Sequence, residues 1–113
     1  MLVILYFSTL INSFHVNVSL KNQKGVSAYY HCKNYVQDII LVDDHEIISA
    51  CKRIFDVGLK VEPSGCAGLA ALLANKIPNL DITETDKKVK IVILLSGGNV
   101  TVEELNNIFN QSS

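Results

Sequence analysis

The chain has 113 residues, about one domain's worth, and 49% of them are hydrophobic, so it can bury a sizeable core. Its formal net charge of −1, from 10 basic against 11 acidic side chains, gives no electrostatic case for a nucleic-acid partner. Cys32, Cys51 and Cys66 lie far apart with no CxxC pair, which argues against a disulfide framework or a zinc site and fits a reducing, cytoplasmic compartment.

Residues 1–33 stand apart from the rest. Met1 to Leu20 holds no Asp, Glu, Lys or Arg, and Met1 to Ile11 is mostly apolar; KNQKG and AYYHCKNY follow without clear periodicity. Three readings are open. A signal peptide lacks its positive n-region and its small-residue cleavage site here. The segment also reads as a strand of the main domain. Sequence that is not native coding, such as read-through ahead of a true exon, is the preferred reading, with the signal peptide second. The uninterrupted apolar run is short for a membrane span, so no membrane partner is expected. The segment is left unassigned and expected to be ill-packed, and 34–113 is taken as the second unit, its folded part at 43–110.

Residues 43–59 predict an amphipathic helix. Asp43 can cap it, Glu46 stands at N3, Gly58 falls near its end, and Ile47, Cys51, Ile54, Phe55 and Leu59 recur at helical spacing. Glu62-Pro63 forces an extended residue and ends what precedes it. Ser64 and Gly65 then open a helix of small residues (Ala67, Gly68, Ala70, Ala71, Ala74) able to pack close to a sheet, its N-terminal N–H groups aimed at whatever lies in front. A close-packed structural helix with no ligand explains the same pattern. A polar connection with Pro78 and mixed charges runs from Ile77 to Lys87.

Lys90 to Leu95 reads KIVILL, a run expected to be a strand buried on both faces of a parallel sheet. Ser96-Gly97-Gly98-Asn99 follows. A double-glycine turn at the carboxyl end of such a strand is where open α/β sheets bind ligands, and glycine lets the backbone approach one closely. It also reads as a plain tight turn, because short glycine motifs recur by chance. Thr101 opens the last helix, with Glu104 three residues on as a capping box. His15, His31 and His45 show no ligand spacing, and no metal site is expected.

VDDHEIISACKRIFDVGLKVEPSG, EPSGCAGLAALLA and IVILLSGGNV agree in order and spacing with the C-terminal part of serine racemases and threonine dehydratases, and residues 35–109 resemble that family. These are pyridoxal-phosphate (PLP) enzymes. The resemblance implies an α/β fold, part of the three-layer parallel-sheet domain of the tryptophan-synthase-β-like, fold-type II class. It implies a homodimer acting on serine, threonine or a close relative, by Cα deprotonation followed by racemisation or by β-elimination of the hydroxyl. Threonine synthase or cysteine synthase chemistry on the same fold is an alternative, as is an inactive α/β binding module.

Carried over residue by residue, the resemblance makes Ser96 the partner of the cofactor's pyridine nitrogen. A hydroxyl suits a neutral ring, where an aspartate would keep the ring protonated. Gly97 and Gly98 shape the turn beside it. Glu62 matches a carboxylate close to the cofactor, and Asn99 a position that touches nucleotide in ATP-activated racemases. Nothing matches the family's Ser-x-Lys-x-Arg-Gly segment with its Schiff-base lysine, and the tetraglycine phosphate loop is absent. The acidic site for an activating Mg2+ lies upstream of the matched region in the family. Lys60 and Lys90 flank predicted elements and are not assigned to the cofactor. No catalytic residue is therefore placed in this chain, and the chain alone is expected to be inactive.

Overall fold

A computed structural model describes residues 2–9, 13–19, 30, 33–34, 38–78, 80 and 90–112, with residues 2–9, 13–19 and 90 described by their backbone. The elements are β1 (Leu2–Thr9), β2 (Ser13–Ser19), β3 (Asp38–Val42), α1 (Asp44–Asp56), a 3-10 turn (Pro63–Cys66), α2 (Ala67–Leu73), β4 (Lys90–Ile93) and α3 (Val102–Gln111). His31, Cys32 and most of the Ile77–Lys87 connection lie outside the described residues.

The fold is α/β, with a sheet of order β3-β1-β2-β4. The N-terminal segment left unassigned by sequence supplies its two central strands. The sheet is mixed, which corrects the parallel sheet expected: β1 runs antiparallel to both β2 and β3, and only β2 and β4 are parallel. The cause is chain length. Three residues separate β1 from β2, enough for a hairpin, whereas a parallel crossover needs about a dozen or more.

One face of the sheet carries the core. Along β3, Ile40 and Val42 are buried while Ile39 (58% exposed) and Leu41 (44%) point the other way. On β4, Ile91 and Ile93 are half-buried and Val92 is 48% exposed. This corrects the expectation that KIVILL is buried on both faces. β4 is an edge strand, its described partner is β2 alone, and the strand ends at Ile93, leaving Leu94 56% exposed.

The helices cover this same face, where their buried side chains form one cluster with Ile40 and Val42. α1 buries Ile47, Ala50, Cys51 and Ile54. Its capping box is complete: the Asp43 carboxylate accepts from the Glu46 N–H at 2.8 Å, and the Glu46 carboxylate accepts from the Asp43 N–H at 2.9 Å. The helix stops three residues earlier than the spacing predicts. Gly58, at φ +90°, donates to the Phe55 carbonyl and Leu59 donates to the Ile54 carbonyl, a Schellman ending that turns Leu59 out to solvent. α2 ends the same way with Asn75 at φ +53°, as Lys76 N–H bonds the Ala71 carbonyl. The Lys76 ammonium then reaches Glu46 at 2.7 Å and the Leu41 carbonyl at 3.1 Å, tying α2 to α1 and β3.

Ala67, Ala70 and Ala71 bring α2 close to the core, as small side chains permit. α3 adds Leu105, which is fully buried, and its Phe109 ring meets Phe55 edge-on at 5.7 Å.

Candidate functional site

Two turns interlock at the carboxyl end of β4. The first follows α1 and runs through Val61, Glu62 and the Pro63–Cys66 turn; the second is Ser96-Gly97-Gly98-Asn99. Glu62 is extended, at φ −64° and ψ 153°, as a residue before proline must be. Its N–H donates to the Gly97 carbonyl at 2.7 Å, and its own carbonyl accepts from the Gly65 N–H at 2.9 Å.

Glycine is required on both sides of this joint. Gly97 has φ +77°, and a Cβ there would overlap the Glu62 carboxylate. A Cβ at Gly65 would overlap the Ser96 carbonyl oxygen and come within 2.9 Å of Val61 Cγ1. Gly98 is different, since a Cβ there would sit 3.7 Å from the Lys60 carbonyl, in ordinary contact.

The structure therefore brings Glu62, Ser96 and Gly97 together. Ser96 is exposed where the strand has ended. Asn99 and Glu62 share a cleft of about 400 Å³, lined also by Pro63, Val100, Glu104 and Asn107. The Glu104 carboxyl is held below its ordinary value by the Thr101 N–H, at 2.7 Å, and then by the Thr101 hydroxyl, at 2.9 Å. The small-residue helix does not present the row of bare N–H groups expected at Ser64 and Gly65. A 3-10 turn comes first, Gly65 N–H is used by Glu62, and the α-helix begins only at Ala67.

Sequence reasoning missed the sulfur side of this joint. The Cys51 thiol donates to the Val61 carbonyl at 3.4 Å, and the Cys66 thiol donates to the Glu62 carbonyl at 3.4 Å. Burial pushes both thiols up; the neighbouring Cys51 thiol adds to the effect at Cys66, which is pushed up to about 12. Cys51 gave a signal only as one more apolar position on a helix, and nothing in a pattern shows that its sulfur reaches a carbonyl ten residues on. Among the described residues, no group of three or more His, Cys, Asp or Glu is placed to hold a metal, and no helix is long and apolar enough to cross a membrane.

Comparison with known proteins adds a second line of observation. The chain is 38% identical over 81 residues to a serine racemase of Arabidopsis thaliana, covering 71% of this chain and 24% of that protein. It is 39% identical over 69 residues to a serine racemase of Oryza sativa subsp. indica, covering 60% of this chain and 20% of the relative. An L-threonine ammonia-lyase of Geobacter sulfurreducens is 33% identical over 82 residues, 72% of this chain and 19% of its own length. The chain thus spans about a quarter or less of the curated relatives it matches. No family model matches it, and no solved structure matches it significantly.

Proposed function

We infer that this chain, a homologue of part of the serine racemases and threonine dehydratases, supplies one wall of a pyridoxal-phosphate site in a racemase or ammonia-lyase acting on serine or threonine. The observation that carries the reading is the joint itself. Gly97 and Gly65 stand where any side chain would collide, so the strand end and the Glu62 turn are locked in one arrangement that leaves Ser96 exposed.

The residues present fit a flat aromatic cofactor. A glycine turn permits close approach of its ring, and a serine hydroxyl is a neutral donor suited to an unprotonated pyridine nitrogen. When bound, the cofactor supplies an electron sink that makes the substrate's α-proton removable. Ser96 donates to the ring nitrogen, and Gly97 and Gly98 shape the wall beside it. The Glu62 carboxylate, packed where a Gly97 side chain would go, steadies that wall and takes no proton from substrate. Asn99, on the cleft, contacts nucleotide where ATP acts as activator, with Mg2+ held outside this segment or at its edge.

Residues 1–113 contain no Ser-x-Lys-x-Arg-Gly segment and no tetraglycine loop. In this reading the lysine and the phosphate cradle come from polypeptide beyond this sequence, the homologous part is residues 34–113, and these residues alone do not turn over substrate. The full enzyme takes the fold-type II architecture, is a homodimer and works in the cytoplasm.

The test is a chimera in which residues 34–113 replace the matching segment of the Arabidopsis serine racemase. It should retain the cofactor's absorbance and act on L-serine, and Ser96→Ala should weaken cofactor retention and lower turnover roughly tenfold, as expected when a buried ring nitrogen loses its partner. A folded chimera in which Ser96→Ala keeps full occupancy and full activity would sink the assignment and leave the turn a structural one.

A further inference from the structure

Two buried thiols hold successive carbonyls, Cys51 that of Val61 and Cys66 that of Glu62. The carbonyl of Val61 and the N–H of Glu62 are the two ends of a single planar amide, which point in opposite directions. At one end, Cys51 Sγ lies 3.4 Å from the Val61 oxygen and Cys66 Sγ lies 4.0 Å from it. At the other end, the N–H donates to the Gly97 carbonyl at 2.7 Å. Because the amide cannot twist, whatever fixes its carbonyl aims its N–H.

The surroundings make this grip matter. Val61, Cys51 and Cys66 are all buried in the apolar core, where a peptide carbonyl needs a donor. The single Cys66 S–H is better placed for the next carbonyl, that of Glu62 at 3.4 Å, which Gly65 N–H shares. Both thiols stay protonated at neutral pH, since burial pushes them up, and so both remain donors. Cys51 comes from α1 and Cys66 from the end of the 3-10 turn, so the Val61 and Glu62 carbonyls are held from two separate elements.

We propose that Cys51 is a positioning residue for the Ser96–Gly97 turn, acting through the planar amide between Val61 and Glu62, with Cys66 steadying the next carbonyl along. The Cys51 thiol holds the carbonyl, the amide orients its N–H, and the N–H holds the Gly97 carbonyl and with it the strand end that presents Ser96. The link to catalysis rests on the function proposed above; the grip itself needs no cofactor.

Amide hydrogen exchange on the cofactor-free 113-residue chain, read by NMR, tests it. In Cys51→Ala, protection of the Glu62 N–H should fall roughly tenfold relative to the amides of α1, matching the loss of a hydrogen bond. Cys51→Ser, which restores a donor, should recover most of that protection. A role in packing alone predicts the reverse order, because a hydroxyl in an apolar site is worse tolerated than a small gap. Equal protection in all three proteins, or better protection in the alanine than in the serine variant, overturns the proposal.

If Cys51→Ser does not fold, the infrared S–H stretch decides. The difference spectrum between wild type and Cys51→Ala should contain a band lowered in frequency by hydrogen bonding, and a band at the free-thiol position overturns the grip. Neither measurement involves pyridoxal phosphate, so failure here leaves the assignment of Ser96 standing, and failure of the chimera leaves this result standing.

Discussion

Gly97 and Glu62 meet twice, once through the 2.7 Å hydrogen bond from the Glu62 N–H to the Gly97 carbonyl, and once through space, where the Glu62 side chain occupies the position a Gly97 Cβ would take. The backbone of one turn and the side chain of the other are thus fitted to each other, with Gly97 in the left-handed region at φ +77°.

Gly97→Ala should therefore be costlier than an ordinary left-handed substitution. Gly58 supplies the control: its φ is +90° and a Cβ there meets nothing within 4 Å. Gly58→Ala should cost about 1–2 kcal/mol for conformation alone. Gly97→Ala carries the same conformational cost and must in addition turn the Glu62 side chain out of its place. Urea unfolding of both variants reads the difference, and equal costs would mean that the turns do not interlock.

Gly65→Ala isolates the steric part, since no left-handed conformation is involved. The added methyl would run into the backbone carbonyl of Ser96, which cannot swing aside as a flexible side chain can. Overpacking of this kind costs ~1–3 kcal/mol. Chemical-shift changes on this substitution should concentrate at Ser96 and Gly97; a variant as stable as wild type with an unshifted Ser96 would contradict the contact.

Alkaline pH should loosen the fold through Cys66. Its thiol is pushed up from an ordinary 9.0 to about 12, first by burial and then by the neighbouring Cys51 thiol. A group whose folded value is raised gives stability that is intact below the unfolded value and is lost as pH climbs toward the folded one. The unfolding midpoint should fall between about pH 9 and 12, and Cys66→Ala should flatten that fall. An unchanged slope would show that the thiol does not carry it.

Acid acts on a different element. The Glu104 carboxyl is held below its ordinary value by the Thr101 N–H and hydroxyl, so its contribution is present above the unfolded carboxylate range and lost as pH drops through the folded value. Thr101→Ala removes the cap and should cost about 1 kcal/mol at neutral pH. It should also weaken the pH dependence of α3 helicity below the carboxylate range, measured by circular dichroism; parallel curves for both proteins would refute the coupling.

What the sequence disclosed was local. Asp43 with Glu46, and Thr101 with Glu104, satisfy helix N-termini within one turn of chain, so three-residue spacing reveals them. The Ser96–Asn99 turn was legible for the same reason, as glycines following a β-branched run. The sheet was not. The pairing of β1 with β3 joins residues more than thirty positions apart, and a strand's partners leave no mark on its own alternation. Leu59 fits the helical period of α1 and yet is exposed, because Gly58 reverses the chain one residue before it. The contact between Glu62 and Gly97 likewise spans segments that sequence could only place separately.

The alternation of β3 and β4 divides two burdens between neighbouring residues. Ile40 and Val42 hold the fold, whereas Ile39 and Leu41 on one edge strand and Val92 on the other are left exposed. Cohesion within the molecule and adhesion between molecules are thus encoded at alternate positions of the same short strands. Replacing Ile39 or Val92 by threonine or lysine leaves the helix-facing side chains in place and removes surface that two colliding molecules gain by burying. Colloidal behaviour in concentrated solution can for that reason be tuned separately from the melting temperature, with no change to the core.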